Sequence, residues 1–473
     1  MPFVRHKIEI KANNKFRSYC RQAFGISRFA YNYGVECFTR DYEKYLEDIK
    51  HYFELLNQYK KNKAKGIQDL LPVKPKLPSA LDYKKEFNKI RREKFPFTYK
   101  VTKYASQQPF IYLGRAIDVF FESSKNGKRQ KAQEARKGKV FKRVFFPKFK
   151  KKSSNSGSFY IGGDLVKLCI GRACSKNVTN DSKKQYLFIP KFGYVQLREH
   201  LRFNGHINSV TISQRGDKFF ASFSVTVSDD EYKRTHKTVD HTNTAVGIDV
   251  GLKSALTLSS GVSIQSPKPL QINFRREQRL SRQLSKKQHP RTKGDTTKTS
   301  NNFKKCSKRL NKLYYRIGCI REDWAHKVTT LLTNHYEYIA VETLNVQGLM
   351  KNHNLSRAIS DIGFYNVKEK LQYKSAYKNR NLLEAGTFYP SSKTCSVCGH
   401  IKDKLSLSER IFTCEKCGNT IDRDLNAAIN LRDHCLNKIG RAIPEFTPVE
   451  LTALQESFIR NNLATSSIES GIR

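Results

Sequence analysis

Acidic residues are scarce in this chain. Asp and Glu number 42 among 473 residues, against 88 Lys and Arg, which leaves a net charge of +46. A chain this positive repels itself unless a polyanion screens it, and nucleic acid carries the densest negative charge that a protein meets. The shortage of acids therefore argues against an ordinary metabolic enzyme for small neutral substrates and predicts a nucleic-acid partner.

Long apolar stretches are missing as well. Apolar residues make up 38% of the chain, below the roughly 45–50% of globular proteins. No run of about 18 apolar residues occurs. Residues 1–50 also lack the successive charged, apolar and small-residue segments of a secretory signal. We therefore expect a cytoplasmic protein without membrane contact, and the length predicts about three domains.

The eleven cysteines lack the dense, even arrangement of a small secreted disulfide scaffold. Four of them form two C-x-x-C pairs, separated by fifteen residues and each followed directly by Gly: Cys395, Cys398, Cys414 and Cys417. Two such pairs supply the four thiolates of a tetrahedral Zn²⁺ site. Because no ligand position stays open, the predicted zinc site is structural. The other seven are expected to be buried thiols in a reducing compartment: Cys20, Cys37, Cys169, Cys174, Cys306, Cys319 and Cys435.

Three of the scarce acids stand at the ends of predicted elements. Asp249 ends the short apolar strand in TAVGID, and Glu342 ends the apolar strand in YIAVE. The third segment, DRDLNAAIN, predicts a helix that begins near Asp424 and has two adjacent alanines, which permit close packing against a sheet. Each acid alone is open to a plainer interpretation: a turn-capping Asp, a solvated strand-end Glu, and an N-cap for Asp422 or Asp424.

Together, the three acids predict a metal-dependent site. A carboxylate in an apolar strand costs several kcal/mol unless a cation or a donor compensates for it. An Asp–Glu–Asp cluster can hold two divalent cations about 3.5–4 Å apart, of which one activates water and the other stabilises the leaving oxygen of a phosphodiester. Mg²⁺ suits these hard oxygen ligands, and Mn²⁺ is a plausible substitute.

The order of these motifs resembles that of the TnpB family, the transposon-encoded RNA-guided DNA endonucleases related to the compact type V CRISPR effectors. The chain reads GIDVGLK, IAVETLNVQGLMKN, PSSKTCSVCG with CEKCG, and DRDLNAAINL in that order. Two weaker similarities, FGISRFAYN and FPKFK, lie nearer the amino terminus. The resemblance implies that Asp249, Glu342 and Asp424 are catalytic acids that bind magnesium, with Asp422 as the alternative to Asp424.

The resemblance also implies the architecture. We expect an α+β multidomain protein with an RNase H-like (RuvC) α/β nuclease domain, an inserted zinc ribbon, a helical recognition lobe and a β-rich wedge domain. Residues His206–Val227 fit the wedge because they alternate like a hairpin around an Arg-Gly-Asp turn. The expected domains are the start of the wedge (1–20), the helical recognition domain (21–124), the wedge (125–240), the RuvC-like domain (241–390) with a basic helical insert (273–327), the zinc-ribbon target-nucleic-acid-binding insert (391–420), the end of the RuvC-like domain (421–435) and a disordered tail (436–473).

Two segments concentrate the positive charge. Residues 125–152 carry 13 Lys or Arg against one acid, with Phe rings interleaved, and residues 273–327 carry 17 against four. The second segment predicts two helices joined by a connector. A solvated face or a solvated helical hairpin would explain such runs, but basic side chains mixed with rings are also what RNA requires. The predicted nucleic-acid contacts are Lys148, Lys150, Lys151, Lys152, Arg275, Arg276, Arg279 and Arg282.

The function that the resemblance implies is guided DNA cleavage. The expected enzyme is a metal-dependent endodeoxyribonuclease that binds a transposon-derived guide RNA and cuts complementary double-stranded DNA next to a short flanking motif, in one RuvC-like site. A monomer is favoured. The alternative is a non-catalytic RNA-binding or transposition-accessory protein. The three acids favour the enzyme, because a basic RNA-binding protein has no reason to bury three uncompensated carboxylates.

Overall fold

Two compact units make up the computed structural model of the chain, Met1–Glu231 and Tyr232–Arg473. The structure describes residues 2–64, 70–135, 146–152, 156–171, 184–235, 244–292, 295–352, 354–386, 388–406, 408–440 and 464–467. Each unit contains both helices and sheets, so the expected mixed α+β class is confirmed. Among the described helices, none combines the length and the apolarity needed to cross a membrane.

The first unit combines three long helices with two antiparallel sheets. Its helices are α1 (Asn14–Ala64), α2 (Ala80–Lys94) and α3 (Tyr104–Ala135), and α4 (Asp229–Thr235) spans the sequence boundary between the units. Its strands are β1 (Phe3–Ile10), β2 (Ser156–Gly162), β3 (Lys167–Ile170), β4 (Gln185–Ile189), β5 (Gly193–Gln196), β6 (His206–Arg215) and β7 (Lys218–Thr226). The sheets have the strand orders β1-β7-β6-β2 and β3-β4-β5.

The helical core of the first unit lies between α1, α2 and α3. Val35, Phe38, Phe87 and Leu113 form part of it and are at most 1% exposed. The expected hairpin is confirmed, because β6 pairs with β7 along its length. The turn between them contains Gly216 at a φ of +66°, a conformation that glycine adopts without steric cost.

The second unit is built on one six-stranded sheet. The strands of the second unit are β8 (Ala245–Asp249), β9 (Leu256–Leu258), β10 (Val262–Ile264), β11 (Tyr338–Glu342), β12 (Asn381–Ala385), β13 (Ile411–Thr413), β14 (Thr420–Asp422) and β15 (Ala464–Ser467). Its helices are α5 (Pro269–Ile272), α6 (Phe274–Ser285), α7 (Asn301–His335), α8 (Val346–Leu349), α9 (Ser356–Ile362), α10 (Phe364–Tyr377) and α11 (Arg423–Lys438). The sheet order is β12-β11-β8-β9-β10-β15, and β13 pairs with β14 alone.

The strands β12, β11 and β8 run parallel, whereas β8, β9, β10 and β15 pair antiparallel. Because successive side chains of a strand point to opposite faces, β8 and β11 separate two cores. Ile248 and Val341 join the main hydrophobic cluster with α7 and α10. Ala340 packs on the other face against Leu431 and Cys435 of α11.

The predicted pair of basic helices is confirmed as α6 and α7. Leu280 of α6 packs with Leu310, Leu313 and Ile317 of α7. Ser300 caps α7, since its hydroxyl accepts a hydrogen bond from the Phe303 backbone N–H at 3.1 Å. The hairpin is therefore held by an apolar seam, while its basic residues stay outside that seam.

Two expectations need correction. Cys319 is exposed, and Cys169 is disulfide-bonded; Cys20, Cys37, Cys306 and Cys435 are buried thiols as expected, and Cys174 lies outside the described residues. The predicted tail is not disordered throughout, because α11 continues to Lys438 and Ala464–Ser467 forms a strand beside β10. The remainder of that tail beyond residue 440 lies outside the described residues.

The helix α11 lies unusually close to β8, and a glycine makes that approach possible. A Cβ atom added at Gly247 would stand 1.9 Å from the Ala428 carbonyl oxygen and 2.7 Å from the Arg432 backbone nitrogen. Both Ala427 and Ala428 are at most 1% exposed. The two adjacent alanines of the helix therefore pack closely against the sheet, as their small size predicts.

We expect Gly247→Ala to destabilise the second unit. The added methyl group meets backbone atoms that cannot rotate away, so α11 must shift, and overpacking of this kind costs about 1–3 kcal/mol or more. Urea denaturation measures the change. Gly386→Ala is the matched control, because a Cβ atom there meets nothing within 4 Å. Equal stability of the two variants would contradict the close contact of α11 with β8.

Candidate active site and metal centre

Two of the predicted acids end neighbouring parallel strands. Asp249 is the last residue of β8, Glu342 is the last residue of β11, and the preceding residues Ile248 and Val341 pair in register. Neighbouring strands lie about 4.8 Å apart. By strand alternation, both acids point to the face that carries Gly247 and α11. The sheet therefore brings together two carboxylates that stand 93 residues apart in the sequence.

The helix α11 supplies the third acid. Asp422 is its N-cap residue, and one carboxylate oxygen accepts hydrogen bonds from the backbone N–H groups of Asp424 and Leu425, both at 3.0 Å. Asp424 lies in the first turn, with Oδ2 only 3.9 Å from where a Cβ atom of Gly251 would lie. Asp422 is therefore occupied in capping, while Asp424 faces the loop that follows β8.

Electrostatics link the three acids. Burial first, and then the charges of Asp424 and Glu342, raise the pKa of Asp249 from 3.8 to about 7, whereas Arg423 opposes the rise. Burial also raises the pKa of Glu342. Of the two acids at the start of α11, Asp424 is the one whose charge is a leading cause of the raised pKa of Asp249. The site gathers negative charge that a cation would relieve.

Arg423 is a residue of this site that the sequence did not single out. Its Nε and Nη2 atoms donate to Asp424 Oδ1 at 3.3 and 3.1 Å. Its Nη1 atom donates to the Glu409 carbonyl oxygen at 3.0 Å, and its backbone N–H donates to the Arg410 carbonyl oxygen at 2.8 Å. Arg423 thus fixes one oxygen of Asp424 and joins it to the residues directly before β13. The sequence does show a basic residue between two acids at this position. It does not show that Arg423 binds the carbonyl group of Glu409, fourteen residues upstream.

The spacing of the acids differs from that of a compact single-ion site. Among the described residues, the four cysteines are the only set of three or more ligand atoms that all lie within 4.8 Å of one another. The carboxylate oxygens of Asp249, Glu342 and Asp424 therefore interact electrostatically without meeting that limit.

The four predicted zinc ligands do meet. The Sγ atoms of Cys395 and Cys417 lie 3.7 Å apart, and those of Cys398 and Cys414 lie 3.5 Å apart. Four thiolates arranged tetrahedrally at about 2.3 Å from Zn²⁺ have their sulfur atoms about 3.8 Å apart. The four-cysteine cluster therefore fits a zinc ion.

The two halves of the cysteine cluster have the same backbone geometry. Gly399 and Gly418 both have a φ of +71°. Their N–H groups donate to the carbonyl oxygens of Cys395 and Cys414, each at 3.0 Å. The N–H groups of Cys417, first, and of Lys416 lower the pKa of the Cys414 thiol to about 6, whereas the neighbouring thiols raise the pKa of Cys417 to about 12.

Buried amides connect the cysteine cluster to α11. Asn426 donates from Nδ2 to the Thr394 carbonyl oxygen at 2.7 Å and accepts at Oδ1 from the Ser396 N–H at 3.0 Å. Asn430 donates to the Ser391 carbonyl oxygen at 2.8 Å. These amides are 0% and 5% exposed. The segment that carries the first two cysteines is therefore bonded to the helix that carries Asp424.

The predicted nucleic-acid contacts fall into two groups. Arg275, Arg279 and Arg282 line an open cleft of about 420 Å³ on the exposed side of α6, and Arg276 is exposed beside them. Within the described ranges, no ion pair engages these four arginines. The lysines Lys148, Lys150, Lys151 and Lys152 are all exposed in the first unit.

Lys150 differs from the other predicted contacts. Its ammonium lies over the Tyr31 ring at 3.8 Å from the centroid, and its backbone exchanges two hydrogen bonds with the Asn32 amide. Partial desolvation of its ammonium lowers the pKa of Lys150, although the residue as a whole stays exposed. This lysine is therefore engaged in packing against α1.

Comparisons with known proteins agree with the motif order. Family models match residues 4–47 ("Helix-turn-helix domain"), 222–353 ("Probable transposase") and 364–431 ("Cas12f1-like, TNB domain"). The chain is 29% identical over 326 residues to "Putative RNA-guided DNA endonuclease InsQ" of Escherichia coli K12, covering 65% of this chain and 74% of that protein.

Two further relatives match shorter stretches. The chain is 38% identical over 190 residues to "Putative RNA-guided DNA endonuclease" of Streptomyces pristinaespiralis, which is 40% of this chain and 45% of that protein. It is 32% identical over 200 residues to "TnpB-like protein L79" of Acanthamoeba polyphaga mimivirus, which is 41% of this chain and 38% of that protein. These matches confirm the resemblance of the chain's motifs to the TnpB family.

We expect Asp249→Asn to stabilise the protein at high pH but not at low pH. Between pH 3.8 and about 7, the folded protein keeps a proton on Asp249 that the unfolded chain releases. The free energy of unfolding therefore falls as the pH rises through that window, by up to about 4 kcal/mol. Asn cannot ionise, so the variant should exceed the wild type in stability at pH 8 and equal it near pH 4.

Urea unfolding at both pH values, in buffer without Mg²⁺ and without chelator, measures this difference. Asp403→Asn, at an exposed position of the same unit, is the control and should follow the wild type at both pH values. Parallel pH dependences for the wild type and Asp249→Asn would contradict the raised pKa.

We expect Cys398→Ser to lose the zinc ion. Three thiolates bind Zn²⁺ more weakly than four, and structural zinc contributes directly to folding. Zinc content per chain, measured by elemental analysis, should fall from one to nearly zero, and amide hydrogen exchange should speed up in residues 391–420. Cys319→Ser, at an exposed cysteine outside the cluster, should change neither. Full zinc content in Cys398→Ser would refute the four-cysteine site.

Proposed function

We propose that this protein is an RNA-guided DNA endonuclease. It binds a transposon-derived guide RNA and cleaves complementary double-stranded DNA next to a short flanking motif, in one RuvC-like site. The likeness to the TnpB family supports the proposal, as do relatives in Escherichia coli and Streptomyces pristinaespiralis whose names describe the same activity. The excess of 88 basic over 42 acidic residues supports a polyanionic substrate.

The observation that carries the proposal is the convergence of three acids from separate segments. The in-register ends of β8 and β11 hold Asp249 and Glu342, and the close approach of α11 brings Asp424 to them. Burying these charges together is costly unless cations bind there. In a protein with so few acids, a cluster of three at the carboxyl ends of parallel strands supports a catalytic site.

Asp249, Glu342 and Asp424 would hold two Mg²⁺ ions, or Mn²⁺ in their place. When bound, such a pair activates a water molecule and stabilises the leaving oxygen of the phosphodiester. In two-metal sites the ions lie about 3.5–4 Å apart. The protein orients these acids: Asp422 caps α11, and Arg423 holds Oδ1 of Asp424, which leaves Oδ2 turned toward the loop after β8.

We propose the following roles for the other parts of the chain. The four-cysteine cluster holds a structural Zn²⁺ within a zinc ribbon at 391–420 that contacts the target nucleic acid, and the RuvC-like domain comprises 241–390 and 421–435. The helical recognition domain (21–124) and the wedge (1–20 and 125–240) bind the guide. The exposed arginines of α6 contact backbone phosphates of the guide–target duplex without reading sequence. The working form is a monomer.

We expect Asp249→Ala to abolish Mg²⁺-dependent cleavage while guided DNA binding persists. The variant removes a carboxylate from the metal site but none of the basic surface that binds nucleic acid. The guide is first identified by sequencing the RNA that copurifies with the protein; a uniform structured RNA with a variable end is expected. Cleavage of a matching target under single-turnover conditions should fall by about 10³-fold or more, and gel-shift affinity should stay unchanged.

Asp433→Asn is the matched control, because it changes an acid on the same helix that pairs with Arg432 and does not interact with Asp249. It should cleave at the wild-type rate. Unchanged cleavage by Asp249→Ala would remove this acid from the mechanism. Bulk cellular RNA in the purified protein, together with no cleavage by the wild type, would favour the accessory RNA-binding alternative.

A further inference from the structure

A cavity of about 480 Å³ lies at the carboxyl ends of β8 and β11. Ile248, Val250 and Val341 line it from the sheet, and Phe364 and Val367 line it from α10. This volume falls within the roughly 300–1,000 Å³ of small-ligand pockets. We call this space the strand-end cavity.

The walls of the strand-end cavity are rigid. Phe364, Val367 and Leu371 are 7%, 4% and 2% exposed and belong to the main hydrophobic cluster of the second unit. Leu344 and Val346, which follow β11, pack against the same cluster. A side chain packed in a core keeps its rotamer, so the cavity is formed before a ligand enters it.

The strand-end cavity adjoins the three acids. Glu342 borders it and also lies beside Asp249 at the strand ends. By strand alternation, the apolar residues Ile248 and Val341 point to the opposite face from the acids. A ligand whose charged part lies at the acids can therefore pass over the end of β11 and place a neutral part in the cavity.

The polar groups around the cavity do not suit a phosphate. The Lys368 ammonium donates to Glu384 Oε2 at 2.7 Å, and the Gln372 amide donates to Glu384 Oε1 at 3.4 Å. The nearest cation is thus already paired. A phosphate entering this apolar space would lose its hydration without gaining a free positive charge, which is strongly unfavourable.

The same groups suit a flat, neutral ring with hydrogen-bonding edges. Tyr365, at the cavity, is 68% exposed, although it carries a large ring suited to stacking. Asn345 accepts at Oδ1 from the Gly348 N–H at 2.9 Å, which fixes its amide. Among the described residues, no partner engages the Asn345 NH₂ group, so it can donate to the edge of a ring.

We propose that the strand-end cavity receives one unpaired nucleobase of the DNA strand being cut, from a nucleotide next to the scissile phosphodiester. The inference rests on the proposed nuclease function. Enzymes that modify a nucleobase hold the extruded base between aromatic and apolar side chains, and the same contacts would hold a base here. Here the base stacks on Tyr365, its edge accepts from Asn345, and its insertion holds the neighbouring phosphate at the three acids.

The test is a scan with abasic nucleotides. The cut position is mapped with the wild-type protein and its copurified guide RNA, and single abasic nucleotides are then placed at each position within three nucleotides of the cut. At one position, single-turnover cleavage should slow by about 5- to 150-fold, the factor expected from losing one stacked base. Target affinity measured by gel shift should not change, because the guide pairing is intact.

Tyr365→Ala identifies the side chain responsible. It should slow cleavage of the intact target by a similar factor and cause little further loss on the sensitive abasic target, because the variant and the abasic nucleotide remove the same contact. Because the Tyr365 side chain is exposed, we expect its replacement by Ala to leave the fold intact. Tyr373→Ala is the matched control on the same helix, since Tyr373 lies outside the cavity lining, and it should cleave like the wild type.

Three results would overturn the proposal. A flat abasic scan by a protein that cuts its guided target refutes the base site and leaves the nuclease function standing. Fully multiplicative losses for Tyr365→Ala and the abasic nucleotide would show that the two act independently and would remove Tyr365 from the site. A protein that holds a uniform guide but cuts no matched DNA refutes the nuclease function itself, and the base site with it.

Discussion

The contact between α11 and β8 is the constraint on which the candidate site depends. The lack of a side chain at Gly247 lets the Ala428 carbonyl approach the strand more closely than any Cβ atom would permit. That approach sets the position of the first turn of α11, and so of Asp424, relative to the end of β8. The register of β8 with β11 then places Asp249 beside Glu342. Two backbone arrangements, one between strands and one between a helix and a strand, therefore bring three acids from distant parts of the chain together.

Bringing three carboxylates together is electrostatically unfavourable. Burial, and then the charges of Asp424 and Glu342, disfavour the ionised form of Asp249 and raise its pKa to about 7. Arg423 offsets part of the charge from within the helix. Among the described residues, the pair of Asp424 with Arg423 is the only ion pair that any of the three acids makes. Such unrelieved charge lowers the stability of the fold, a cost that is common at active sites.

Local patterns predicted much of this structure, and long-range contacts limited the rest. Apolar runs identified the strands that end at Asp249 and Glu342, and cysteine spacing identified the four-cysteine cluster, because period and spacing are properties of a short segment. The sequence favoured Asp424 over Asp422 as the third acid of the site less clearly, because either of two acids at the start of a helix can cap it. Three features depend on contacts between separate elements of the chain, which no local pattern reveals. They are the hydrogen bond of Arg423 to the Glu409 carbonyl group, the contact of the Lys150 ammonium with the Tyr31 ring, and the strand-end cavity.

The amides of Asn426 and Asn430 determine how this protein could be recombined with its relatives. They bind carbonyl groups of the segment that begins at Ser391, from inside a helix that starts only at Arg423. A chimera that exchanged the four-cysteine segment only up to residue 420 would set these two buried amides against the backbone of another protein and disturb their hydrogen bonds. The block that can be transplanted intact is therefore longer than that segment and extends through Asn430, well into the helix.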